Sequence, residues 1–246
     1  MVKRMDLFYY TNARTLLKIL TSFQIKMSVL SRSSDLRERN FFRYFVKPEE
    51  GIGEKEAKKL ADKSRYVCFC TEPNDSGWYH LDKGYRLPNM WDAYADRHKG
   101  ACIILDRDLF KKKNPCLTDF QIDYKIEIEL KEDLPLEKKM KQKSKIYESE
   151  HEIRFISSNG SEFCDIEGCI KKILIGVDFE NVYIRDEEEL QTPNSFAKLC
   201  EIIKDKNIEP TLFIQPLITK AGKMIKSDNG CLLWDKMKTN GIVFNI

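Results

Sequence analysis

What this chain of 246 residues lacks narrows the field before any motif is read. It has no run of about 18 or more apolar residues, so no helical membrane span is expected. The opening M-V-K-R-M-D-L-F-Y-Y is basic but has no apolar h-region or small-residue cleavage site, so no secretory signal is expected either. There are only three histidines, His80, His98 and His151, and no G-x-S-x-G, which leaves a hydrolytic triad little support. A Walker loop is missing, and no third glycine follows Gly51 and Gly53, which removes the common dinucleotide fingerprint. Cys164 and Cys169 have the look of half a zinc site. No second Cys or His pair with ligand spacing completes it, and no metal is expected.

What is present points to a packed, well-solvated globule. Hydrophobic residues make up 42% and aromatics 11%, enough for a core, while charged residues at 33% stop short of a disordered composition. A net charge of +3 argues neither for nor against nucleic acid. The positive charge is local: Lys111–Lys113 form one cluster, and Lys138, Lys139, Lys141, Lys143 and Lys145 another. Such runs are ordinarily solvated faces, with phosphate attraction as the functional alternative. Cys68, Cys70, Cys102 and Cys200 lie inside apolar runs, where thiols act as small hydrophobes. Without an export signal, reduced cysteines and a cytoplasmic location are expected.

Along the chain, D-L-F-Y-Y (6–10) reads as a strand running into Thr11 or Asn12, a helix cap for A-R-T-L-L-K-I-L. Residues 24–29 read as a short strand, 54–64 as a charged surface helix, and R-Y-V-C-F-C (65–70) as a buried-type strand. A helix is expected from Asn89 to Gly100, with Trp91, Tyr94, Ala95 and His98 in one stripe, before the buried strand A-C-I-I-L. Strict alternation over 120–130 predicts a long half-exposed antiparallel strand. Later come a strand at I-K-K-I-L-I-G-V, a capped helix at N-S-F-A-K-L-C-E-I-I-K, a strand at T-L-F-I-Q-P-L-I and the closing G-I-V-F-N-I. Helices and strands do not alternate regularly, so α+β with mainly antiparallel sheet is favoured over a doubly wound fold. No linker divides the chain. A single domain over 1–246 is expected, with a core at 1–177 and a C-terminal extension, 178–246, packed on it.

The stretch I-Y-E-S-E-H-E-I-R-F-I (146–156) raises the sharpest question. As a strand it places Glu148, Glu150, Glu152 and Arg154 on one face, where three like charges repel and add nothing to a core. As a helix, Glu150 and Arg154 make an i,i+4 ion pair worth only about 0.3–0.5 kcal/mol. Neither reading alone requires a function. Trp91 and Tyr94 are most simply core anchors, although their flat faces also suit a ring-binding pocket. Asp119, Glu129 and Lys131 can be assembled into a loose acid…E-x-K trio for a Mg²⁺-dependent nuclease, but Glu129 and Lys131 equally fit a plain solvent face.

Four pieces, taken in order, resemble a widespread bacterial domain-of-unknown-function family. They are L-F-Y-Y-T (7–11), S-S-D-L-R-E (33–38), V-C-F-C-T-E (67–72) with M-W-D-A-Y-A-D-R-H-K-G-A-C-I (90–103), and Y-E-S-E-H-E-I-R-F (147–155). The specific parts are W-x-x-Y-x-x-x-x-x-G and E-x-E-x-R. That family is in turn remotely similar to the ADP-ribosyltransferase superfamily. The resemblance implies mainly antiparallel split β-sheets with flanking helices and an NAD-binding cleft. By matched position it assigns Glu152 as the catalytic carboxylate, with Glu150 two residues before it. Tyr9 or Tyr10 with Thr11, Thr71, Trp91, Tyr94 and Arg154 would bind the dinucleotide, with Cys70 beside Thr71 lining the middle strand. It further implies NAD as substrate and a macromolecular acceptor, protein or nucleic acid. An intracellular bacterial effector is implied, in a toxin or phage-defence role with an antitoxin or system partner. A non-catalytic nucleotide- or protein-binding module on the same fold is the alternative. The chain departs from the pattern in two places: tyrosine stands where many transferases have His or Arg, and S-S-D-L-R-E lacks the loop's Asn and Pro.

Overall fold

The computed structural model describes residues 5–29, 62–72, 84–85, 87–126, 140–157, 160–176 and 205, together with the backbone of 210–212, 217–218 and 224–225. Expectations for 33–38, 194–204, 241–246 and most of 54–64 lie outside the described residues. So does the extension 178–246, apart from residue 205 and its short strands. The chain is mixed α+β, its sheets mostly antiparallel. It groups into two compact units, Met1–Gln24 with Thr71–Phe110 and Ile166–Ile246, and Ile25–Cys70 with Lys111–Asp165.

In the first unit, β1 (Asp6–Thr11) pairs antiparallel with β5 (Ala101–Asp106), which pairs antiparallel with β11 (Ile170–Ile175). A parallel strand, β12 (Pro210–Leu212), follows β11. Between two partners, β5 is buried at every position from Ala101 to Leu105, which is why A-C-I-I-L is a continuous apolar run rather than an alternating one. Helix α1 (Ala13–Ser22) starts where Asn12 Oδ1 accepts the Thr15 N–H at 2.8 Å, satisfying one orphan donor of the first turn. It buries Ala13, Leu16, Ile19 and Leu20 along one stripe and ends at Phe23 in the left-handed region.

The helix expected over 89–100 is shorter. It runs Pro88–Ala93 as α2, with Pro88 in the first turn, where a missing N–H costs nothing. Asp96, Arg97 and His98 then all have positive φ, at 47°, 55° and 66°. Left-handed backbone at three consecutive non-glycine residues is costly, roughly 1–2 kcal/mol each. The predicted stripe is broken accordingly: Trp91 and Ala95 are buried, whereas Tyr94 is 39% exposed. His98 reaches Trp91 through the left-handed turn instead of a helical one, and the two rings stack with centroids 5.6 Å apart. Two glycines make this route possible. A Cβ on Gly100 would sit 2.2 Å from the Thr11 carbonyl oxygen, and one on Gly176 would sit 2.0 Å from that of His98.

In the second unit, β4 (Arg65–Cys70) lies between the short β3 (Ser28–Val29) and β9 (Glu152–Ser157), and β9 pairs on its other side with β6 (Leu117–Gln121), all antiparallel. The expected strand over 24–29 divides into β2 (Gln24–Lys26), which pairs with β10 (Phe163–Asp165), and β3. The long strand expected over 120–130 also divides. It breaks at Ile122 and resumes as β7 (Asp123–Lys125), which pairs in parallel with β8 (Gln142–Ser144). Phe120 and Ile122 are buried with Tyr66 and Met140 and Tyr124 is half-buried, but Ile126 is 78% exposed, so the buried face ends within β7; residues 127–130 lie outside the described residues.

Gly176→Ala is expected to destabilise the fold by about 1–3 kcal/mol or more, because its Cβ would meet backbone and not a side chain that can swing away. Arg97→Gly is expected to leave stability unchanged or raise it by up to about 1 kcal/mol, since glycine removes the left-handed penalty at an exposed position. Urea unfolding of the two variants beside wild type measures both.

Candidate functional site

Residues 146–156 are not one strand. Lys145–Glu150 form a 3-10 helix, His151 turns with φ of 45°, and β9 begins at Glu152. Glu148 and Glu150 therefore do not share a strand face with Glu152 and Arg154.

Glu150 and Glu152 nevertheless meet, because Lys143 of β8 holds both. Its Nζ donates to Glu150 Oε2 at 2.6 Å and to Glu152 Oε2 at 2.9 Å. Arg154, two residues along β9 and so on the same face, donates through Nε to Glu152 Oε1 at 2.8 Å, with Nη2 2.7 Å from the same oxygen. Its Nη1 donates to the Met140 carbonyl at 3.1 Å, and its guanidinium carbon lies 4.8 Å from the centre of the Tyr66 ring. The Tyr147 ring covers Lys143 Nζ at 4.8 Å. The Glu152 N–H donates to the Tyr124 hydroxyl at 2.8 Å, and Gln121 Nε2 donates to the Glu152 carbonyl at 2.9 Å.

All four charged side chains are buried, Arg154 to 1% exposure, Glu152 to 3%, Lys143 to 5% and Glu150 to 7%. Charges this deep persist only when paired, because removing an ion from water costs several kcal/mol. Here two carboxylates face two cations. Burial alone would raise the Glu152 pKa; Arg154 and Lys143, helped by a Cys68 S–H, outweigh it and hold the carboxyl at about 2. Burial alone would lower the Lys143 pKa, but Glu152 and then Glu150 reverse that and raise it. Burial drives the Tyr124 hydroxyl well above its ordinary range. Glu152 is thus a firmly ionised carboxylate near neutral pH, fixed at both oxygens.

The residues assigned in the first unit form a different constellation. Tyr10 is buried, its hydroxyl donates to the Gly84 carbonyl at 2.7 Å, and its ring meets Trp91 edge-on at 5.4 Å. Trp91 Nε1 donates to the Tyr85 carbonyl at 2.8 Å, and its indole is fully buried under His98. Thr11 and Thr71 are buried, Tyr9 is half-buried and Tyr94 is exposed. Cys70 is buried opposite Glu152 in the β4–β9 register. Of the nuclease trio, Asp119 is paired with Lys111 Nζ at 2.6 Å, while Glu129 and Lys131 lie outside the described residues. Cys164 and Cys169 are buried thiols directed at backbone carbonyls. Among the described residues no group of three or more His, Cys, Asp or Glu is placed to hold a metal, and no helix is long and apolar enough to cross a membrane.

Lys143, Tyr124 and Tyr147 were not singled out by the sequence. Lys143 sits in a run with lysine at every second position from 139 to 145, and nothing local separates it from the other lysines.

The chain is an α+β protein whose second unit holds a buried four-residue ion network. Residues 90–155 match a family model described as "Protein of unknown function (DUF2971)". That stretch runs from Met90 in α2 to Phe155 in β9 and includes all four charged residues of the network. No curated protein and no solved structure matches the chain.

The two shifts set a pH window. Because the Glu152 pKa falls from 4.5 to about 2 on folding, its contribution is fully present above about pH 4.5 and is lost as pH drops toward 2. The raised Lys143 pKa adds stability below its ordinary 10.5 that is lost as pH climbs beyond it. Arg154→Met is expected to cost about 3–5 kcal/mol at pH 7 by stranding Glu152, and clearly less at pH 3, where the stranded carboxyl takes up a proton. Urea unfolding at the two pH values measures the difference.

Proposed function

We propose that the Glu152 cluster is the catalytic end of an ADP-ribosyltransferase-like site that cleaves NAD. The observation that carries this reading is a carboxylate kept ionised at neutral pH, anchored at the start of a central strand by Arg154 on one oxygen only. The other oxygen is held by Lys143, and a ribose hydroxyl would take that place. Cleavage breaks the bond between ribose C1′ and the pyridinium nitrogen. The bonding pair leaves with nicotinamide, and positive charge develops on the ribose. A carboxylate already ionised stabilises that charge more in the transition state than in the ground state. Water or an acceptor nucleophile then adds at C1′ and gives its proton to Glu150. The E-x-E-x-R resemblance supports the assignment. In that reading the acceptor is a protein or nucleic acid, and the setting is a bacterial toxin or phage-defence system.

A second reading, a non-catalytic nucleotide- or protein-binding module, is favoured by one specific feature: both Glu152 oxygens are engaged within 2.9 Å by buried cations. Incubation with about 1 mM NAD, the top of the usual KM range, separates the two. Catalysis predicts nicotinamide release that Glu152→Gln lowers by roughly 100-fold or more with the circular dichroism spectrum unchanged. Saturable NAD binding without release, tolerant of Glu152→Gln, assigns the module. If nicotinamide release survives in Glu152→Gln, the catalytic assignment of that residue is wrong.

A further inference from the structure

The network is supported unequally on its two sides. Glu152 and Arg154 stand on β9, which is paired along its length with β4 on one side and β6 on the other. Lys143 stands on β8, a three-residue strand whose only sheet partner among the described residues is the three-residue β7. Two-stranded ribbons of that length are marginal by themselves. Glu150 is the last residue of a six-residue 3-10 helix, a conformation with poor hydrogen-bond geometry that rarely persists. Between this half and β9 lies His151, a non-glycine residue with φ of 45°, the kind of strained position that hinges and switches use. Both carboxylates flanking that hinge are held by one ammonium group, Lys143 Nζ.

We propose that Lys143 is a latch: its double ion pair pins the 142–151 segment over Glu152, and release of that segment about His151 uncovers the carboxylate while β9 stays in the sheet. The described conformation is then the closed, autoinhibited one, and Glu150 takes the acceptor's proton once the segment has closed back over bound substrate. This regulation rests on Glu152 being the functional carboxylate, although the motion itself does not depend on NAD. Neutralising or removing Lys143 takes away the ammonium group that both carboxylates share; Arg154 still holds Glu152 in the sheet, and the segment loses its tie to it. Tyr147 travels with it, since its ring lies on the ammonium. Cys68, whose S–H helps hold the Glu152 pKa down and which lies opposite Arg154 on the same sheet face, becomes more accessible.

Amide hydrogen exchange on the full chain tests the latch. In wild type, peptides from 142–151 should exchange faster than peptides from 152–157, as expected of a low-stability unit beside a sheet strand. Lys143→Met should speed exchange of 142–151 by about tenfold or more and raise the alkylation rate of Cys68, with 152–157 changed by no more than about twofold. Glu150→Gln, which removes half of the double pair, should act in the same direction more weakly, and it serves if Lys143→Met does not fold. Equal exchange of the two segments in wild type, or acceleration of both together in Glu150→Gln, overturns the latch. Where nicotinamide release is measurable, Glu150→Gln should raise the Cys68 alkylation rate whether release rises or falls. A latch that opens in a protein that never cleaves NAD therefore sinks the catalytic reading and leaves the latch standing.

Discussion

A carboxylate cannot be taken out of water and left alone, and Glu152 is almost wholly out of water. Everything around it answers that constraint. Arg154 reaches it because two residues on a strand share a face; Lys143 reaches it because β8 runs alongside β7 and delivers an ammonium group to the same place. Tyr66 and Tyr147 cover the two cations with ring faces, which accept positive charge without adding another charge to be neutralised. Such a network is a poor source of net stability compared with apolar packing of equal volume, but losing any single member strands a buried charge and is costly. It therefore holds β9 and the 3-10 helix in one arrangement more than it strengthens the fold.

The first unit meets a different constraint, that of backbone meeting backbone. Between Trp91 and β5 the chain turns through three left-handed residues, and Gly100 and Gly176 are where carbonyl groups come too close for any side chain. The strain stored there is offset by the stacking of His98 on Trp91, by the edge-on contact with Tyr10 and by complete burial of the indole. Trp91 and Tyr10 act in this arrangement as packing residues with satisfied polar atoms.

Elements governed by their own residues were legible from them. Asn12 capping, the stripe of α1, the apolar run of β5 and the buried β4 all follow from interactions within a few positions, and they fell within a residue or two of where they were expected. Two of the errors share one cause. Alternation over 120–130 and 146–156 is the signature of a strand, yet it does not say where a strand stops pairing; the breaks at Ile122 and His151 come from partners distant in sequence. Of the site, the Glu152–Arg154 half was visible as two residues on one face. The Lys143 half was not, because one lysine in a lysine run is buried only by virtue of what lies across from it.

By itself, then, the order of residues determined the α+β character, the strands that form the core and the pairing of Arg154 with Glu152, all consequences of periodicities of two or about four. Only the tertiary structure decided that Glu150 and Glu152, which repel as neighbours, would be drawn together. The reason is a shared ammonium group brought in from β8. That attraction acts through space, and no local pattern encodes it.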